Sequence, residues 1–71
     1  MTPSEFAIEL GRRLFGAVPE HFHFTYDARG KVAMVTLARM GMQDGRVMRI
    51  VNDVKESDAP RLFQEFNARG N

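Results

Sequence analysis

Two histidines one residue apart, His21 and His23, are the first side chains in this chain whose type and spacing suggest chemistry. On a strand, residues i and i+2 share a face, so the two imidazoles stand side by side, a spacing that metal sites use. Glu20 or Asp27 is the nearest candidate for a third ligand. As a general acid or base, a histidine needs an orienting partner and a nucleophile within reach. The candidate hydroxyls, Ser4 and Ser57, are already accounted for as residues that start helices. No Ser-His-Asp set, lysine-based site or carboxylate pair stands out, and the chain has no cysteine. The expectation is therefore two ordinary edge-strand histidines, with no catalytic residue, no metal and no cofactor.

Arginine is the other chemically marked residue. It outnumbers lysine eight to two, a skew that GC-rich coding alone produces. Arg39, Arg46 and Arg49 fall around the stretch Gly41-Met42-Gln43-Asp44-Gly45, which reads as a turn. A methionine in a turn has no packing duty there, and its flexible thioether suits an adaptable contact. Arginine in turn favours carboxylate pairing at interfaces. Arg39, Met42, Gln43, Asp44, Arg46 and Arg49 thus form a candidate protein-binding set. A second set, Arg12, Arg13, Arg29 and Arg46, would serve nucleic-acid phosphates. Ten basic residues stand against nine acidic ones, however, so the one-sided charge of a phosphate-driven binder is missing. Glu5, Glu9, Asp44 and Asp53 balance the arginines as a solvated surface would.

The elements that position these residues are legible along the chain. Thr2-Pro3-Ser4-Glu5 opens a helix: Thr2 caps, Pro3 takes the first helical position and Glu5 completes a capping box. Phe6, Leu10 and Leu14 then recur at helical spacing, Gly16 stops the helix, and Pro19 prevents its continuation, so the first helix spans Pro3 to Phe15. His21 to Tyr26 alternates as a strand, with Phe22, Phe24 and Tyr26 on one face and the histidines on the other. Asp27-Ala28-Arg29-Gly30 is a tight turn. Lys31 to Met40 is apolar on both faces, with Val32, Met34, Ala38 and Met40 on one side and Ala33, Val35 and Leu37 on the other. That pattern suits a central strand. Arg46 to Val54 returns as the third strand. Ser57 or Asp58 caps a second helix, in which Ala59, Leu62, Phe63 and Phe66 make the buried stripe and Arg69 faces the helix dipole before Gly70-Asn71 frays. The 71 residues are expected to form one α+β domain of order α-β-β-β-α, residues 1–71, with a three-stranded antiparallel meander and two short helices.

Two short helices cover one face of such a sheet. The middle strand is aliphatic on both sides, so the second face is expected to carry an apolar strip fringed by histidine and arginine, buried against something else. A homodimer, by sheet-on-sheet or edge-to-edge pairing, buries it; so does a heterologous protein. One helix on each face would leave no strip at all. A small cysteine-free core also leaves association as the readiest source of added stability. No apolar run approaches a membrane span, and the capped helix start does not read as a signal peptide, so a soluble, cytoplasmic protein is expected.

The element order resembles that of double-stranded-RNA-binding domains and of small mRNA-cleaving toxins of the same topology. Those families open their second helix with a basic cluster; here the position reads Ser57-Asp58-Ala59-Pro60-Arg61. The resemblance is one of topology, and it implies an RNA- or DNA-binding domain as the alternative function. In style the chain is similar to the small inhibitors that phages and mobile elements direct at host machinery, among them anti-CRISPR proteins and polymerase-binding regulators. The function expected first is accordingly non-enzymatic: stoichiometric binding to a protein of a host or defence complex.

Overall fold

The computed structural model describes residues 1–68; the expected roles of Arg69, Gly70 and Asn71 lie outside the described residues. Helix α1 spans Pro3–Phe15, strands β1 to β3 span His21–Tyr26, Val32–Gln43 and Arg46–Lys55, and helix α2 spans Pro60–Ala68 after a 3-10 turn at Glu56–Asp58. The order is α-β-β-β-α, and the sheet is an antiparallel meander with β2 in the middle.

Helix α1 begins and ends as its sequence dictates. Thr2 Oγ1 accepts from the Glu5 amide at 3.1 Å while Glu5 Oε1 accepts from the Thr2 amide at 2.8 Å, closing the capping box. Gly16 ends the helix with a left-handed φ of 67°. Helix α2 is entered differently from the expectation. Neither Ser57 nor Asp58 caps it: the first helical bond runs from the Phe63 amide to the Ala59 carbonyl, and Asp58 Oδ2 instead accepts from the Lys55 amide at 2.9 Å. The carboxylate is used to close the 3-10 turn.

Both helices pack on the same face of the sheet. Phe6, Ala7 and Leu10 of α1 and Leu62, Phe63 and Phe66 of α2 are buried with Val32, Val35, Leu37 and Val54 of the strands. Phe6 is the hub: its ring stacks on Phe66 at 4.4 Å and meets Phe63 edge-on at 5.1 Å and Phe24 at 5.8 Å. Such pairs add about 0.5–1.5 kcal/mol each beyond the area they bury. The arrangement with one helix on each face is thereby excluded, and among the described residues the second face is open.

Two features of β2 correct the sequence reading. The register slips between Thr25 and Tyr26, so Tyr26 pairs with Val32 and Ala33 is the extra residue. This bulge places Val32 on the helix-covered side with Val35 and Leu37, instead of with Met34 and Ala38. The strand also continues to Gln43, and the turn is Asp44-Gly45 alone, with positive φ at both residues (54° and 76°). That is the two-residue turn whose twist matches paired strands. Met42 therefore lies in a strand, opposite Val47.

Candidate surface on the projecting hairpin

Strand β1 stops pairing at His21, opposite Ala38, which is opposite Val51 on β3. Beyond that row, residues 39–43 and 46–50 form a two-stranded arm that lengthens the molecule to 41 × 20 × 19 Å. The arm has side chains on two faces, as any pleated pair does. Met40, Met42, Val47, Arg49 and Val51 share the open face with His21 and His23. Arg39, Gly41, Gln43, Arg46, Met48 and Ile50 continue the helix-side face.

The candidate protein-binding residues divide between these faces. Met42 is 64% exposed on the open face, next to Val47 at 69% and near Val51 at 61% and Met40 at 43%. Arg49 stands in the same patch, its Nη2 3.5 Å from Glu20 Oε1, with both side chains well exposed, so the pair is weak. Gln43, Asp44 and Arg46 are exposed at the tip of the arm, where with Met48 they line a shallow groove. Arg39 is on the other side and is engaged. Its Nε donates to Asn52 Oδ1 at 2.9 Å and its guanidinium lies over the Phe15 ring.

The basic set of the alternative reading does not converge. Arg12 and Arg13 are exposed on α1, with Arg13 paired to Glu9 at 2.9 Å. Arg29 lies in the first turn and Arg46 follows the second, at opposite ends of β2, and a strand of that length spans about 40 Å.

No protein-family model, curated protein or solved structure matches the chain. What the surface can do follows from its own chemistry. His21 and His23 do share the open face, yet among the described residues no group of three or more His, Asp or Glu side chains is placed to hold a metal ion. Asp53, the acidic residue nearest His23 in the register, accepts from Thr36 Oγ1 at 2.8 Å. The two carboxyls held below their ordinary range, Glu5 by the Thr2 amide and Asp27 by the Lys31 amide, both serve backbone turns. Among the described residues no helix is long and apolar enough to cross a membrane.

Sequence reasoning missed Met40, Val47 and Val51 as members of this surface. The signal was present in the strand alternation Val47, Arg49, Val51 and in Asp44-Gly45, the residue pair favoured in two-residue hairpin turns, which sets the register.

Proposed function

We propose that this chain is a non-enzymatic protein-binding module that docks through the open face of its β2–β3 hairpin. One observation carries the reading: Met40, Met42, Val47 and Val51 are exposed together on a face that, among the described residues, no element of the fold covers. Contiguous apolar surface of this kind on a small domain marks an association site, and two methionines allow it to adapt to the surface it meets. The complementary partner is a protein with an apolar centre and acidic groups placed to meet Arg49 and, at the tip, Arg46. Such a module acts by occupancy, as a stoichiometric inhibitor or regulator of a larger host or defence complex, in the manner of the small inhibitors carried by phages and mobile elements.

The test is affinity capture from nuclease-treated extract of the native cells, comparing the parent with Met42→Asp and Met40→Asp. Both positions are exposed, so the variants are expected to fold with unchanged circular dichroism. A partner held in one-to-one ratio by the parent and weakened at least tenfold in both variants supports the reading. Equal capture by all three removes it.

A further inference from the structure

We propose that a second copy of this chain docks along β3, antiparallel, about a twofold axis at Val51, merging two three-stranded sheets into one of six. This goes beyond the heterologous partner proposed above: it uses the outer edge of β3, and shares with the docking face only Arg49, Val51 and the flank at Val47.

The backbone supplies the first reason. A two-residue turn is closed by a hydrogen-bonded pair, here Gln43 and Arg46, and alternate residues of β3 then bond to β2. The N–H and C=O groups of Val47, Arg49, Val51 and Asp53 consequently point away from the sheet. The Lys55 amide, which has the same parity, bonds outward to Asp58 Oδ2, as this alternation requires. β3 is an edge strand, so its outward groups form a template for another strand.

Charge selects the register. A twofold axis at Arg49 sets two arginines against each other, and an axis at Asp53 opposes two carboxylates. An axis at Asn52 puts Arg49 opposite Lys55 of the other copy, and one at Ile50 forms no ion pair. With the axis at Val51, Arg49 of each copy faces Asp53 of the other, twice, and valine meets valine at the centre. Thr36 occupies Asp53 Oδ1 and leaves Oδ2 for the arginine. This register makes about six main-chain hydrogen bonds.

Shape agrees with charge. Val51 is the row at which the three-stranded body gives way to the arm, so an axis there lays each arm along the other copy's body. Met48, 41% exposed, falls opposite Val54 of the second copy. Val54 lines a groove with Leu14 and Phe15, and Leu14 is itself 38% exposed. Pairing in this register sets Met48 against that groove, beside Leu14, and so covers two of the apolar side chains that the isolated chain leaves exposed.

A cysteine-free chain allows a direct test. Val51→Cys places two thiols across the axis at a Cα separation of about 5.5 Å, inside the range a disulfide spans. Val47→Cys places them about 26 Å apart. Mild oxidation is expected to convert Val51→Cys to a disulfide-linked dimer on a non-reducing denaturing gel and to leave Val47→Cys without a cross-link. By light scattering, Arg49→Asp and Asp53→Arg are each expected to dissociate at least tenfold more readily than the parent, whereas an equal mixture of the two restores the dimer. A parent that is monomeric at hundreds of micromolar, equal cross-linking at both cysteine positions, or a mixture no tighter than its components would overturn the proposal. Met42 lies off the pairing edge, so Met42→Asp remains dimeric and the docking reading fails or survives separately.

Discussion

The guanidinium carbon of Arg39 sits 4.5 Å from the centre of the Phe15 ring, tying the last turn of α1 to the point on β2 where pairing with β1 has just ended. Its Nε bonds across to Asn52 on β3, so one side chain joins helix and both strands at the base of the arm. A planar cation suits this double duty, since it stacks and donates in the same plane. Arg39→Ala is expected to cost about 1–2 kcal/mol in urea denaturation, the sum of a half-buried cation–π contact and a hydrogen bond. Arg39→Lys should recover little of it. Neither change should weaken docking at the open face, which would separate Arg39 from the contact residues it accompanies in sequence.

Gly11 makes a second prediction in which two effects oppose. Glycine inside a helix is ordinarily unfavourable by about 1 kcal/mol relative to alanine. Here, however, a Cβ at position 11 would lie 2.5 Å from the Ala17 carbonyl oxygen and 2.7 Å from Pro19 Cδ, where the chain returns across the helix. Backbone and a proline ring cannot swing aside. Overpacking of this kind costs about 1–3 kcal/mol, so Gly11→Ala is expected to destabilise despite its better helix propensity. A midpoint in urea at or above that of the parent would contradict this account.

Asn67 does the work of a missing strand neighbour. Its amide oxygen accepts from the Val32 amide and its Nδ2 donates to the Val32 carbonyl, each at 3.0 Å, next to the bulge at Ala33. Lys31 Nζ reaches the Asn67 carbonyl at 3.0 Å. Asn67→Ala leaves two main-chain groups of Val32 without these bonds and is expected to cost about 1–3 kcal/mol. Asn67→Asp loses the donor alone and should fall between. Amide exchange at Val32, accelerated in both variants, locates the effect.

Acid stability follows from Glu5 and Asp27. The Thr2 amide, then the Thr2 side chain, holds the Glu5 carboxyl below its ordinary value of 4.5. The Lys31 amide, with lesser help from Arg29, does the same for Asp27 below 3.8. A carboxyl that binds its proton less readily when folded contributes stability above its unfolded pKa and loses it as pH falls through the folded one. The chain should therefore lose stability with acid from about these ordinary values downward. Glu5→Gln with Asp27→Asn should flatten that limb while lowering stability at neutral pH, measured as melting temperature against pH.

Local chemistry was readable and tertiary coincidence was not. Thr2, Pro3, Glu5 and Gly16 bound α1 through contacts within a few residues of themselves, and the stripe of Leu62, Phe63 and Phe66 identified the buried side of α2. Gly41 misled: as a glycine near Asp44-Gly45 it suggested a longer turn, yet its missing side chain makes room for Ile50 from the neighbouring strand, whose Cδ1 would be 2.5 Å from a Cβ there. The slip at Ala33 depends on how β1 meets β2, and Asn67 acts on a residue 35 positions away. On the surface, Met42 was legible by type and Arg49 by place, whereas Val47 and Val51 needed the hairpin register to join them.

That register rests on the turn, which yields the last prediction. Asp44 and Gly45 both adopt positive φ, the requirement of the two-residue turn that fits twisted strands. Glycine reaches that region without strain, and a β-carbon there costs about 1–2 kcal/mol. Among the described residues the arm has no third strand and no helix against its open face, so it has little else to hold it. A slip of one residue would send Met42 and Val47 to the helix side and dismantle the exposed strip. Gly45→Val is thus expected to fray residues 39–50, seen as faster amide exchange there, while Phe6, Phe63 and Phe66 keep the body folded and exchange near Val35 and Val54 is unchanged. Asp44→Asn, which tolerates the left-handed region equally well, should leave both regions as they are. Uniform acceleration across arm and body in Gly45→Val would mean that the arm belongs to the same cooperative unit as the core, and the docking surface would then be only as stable as the whole chain.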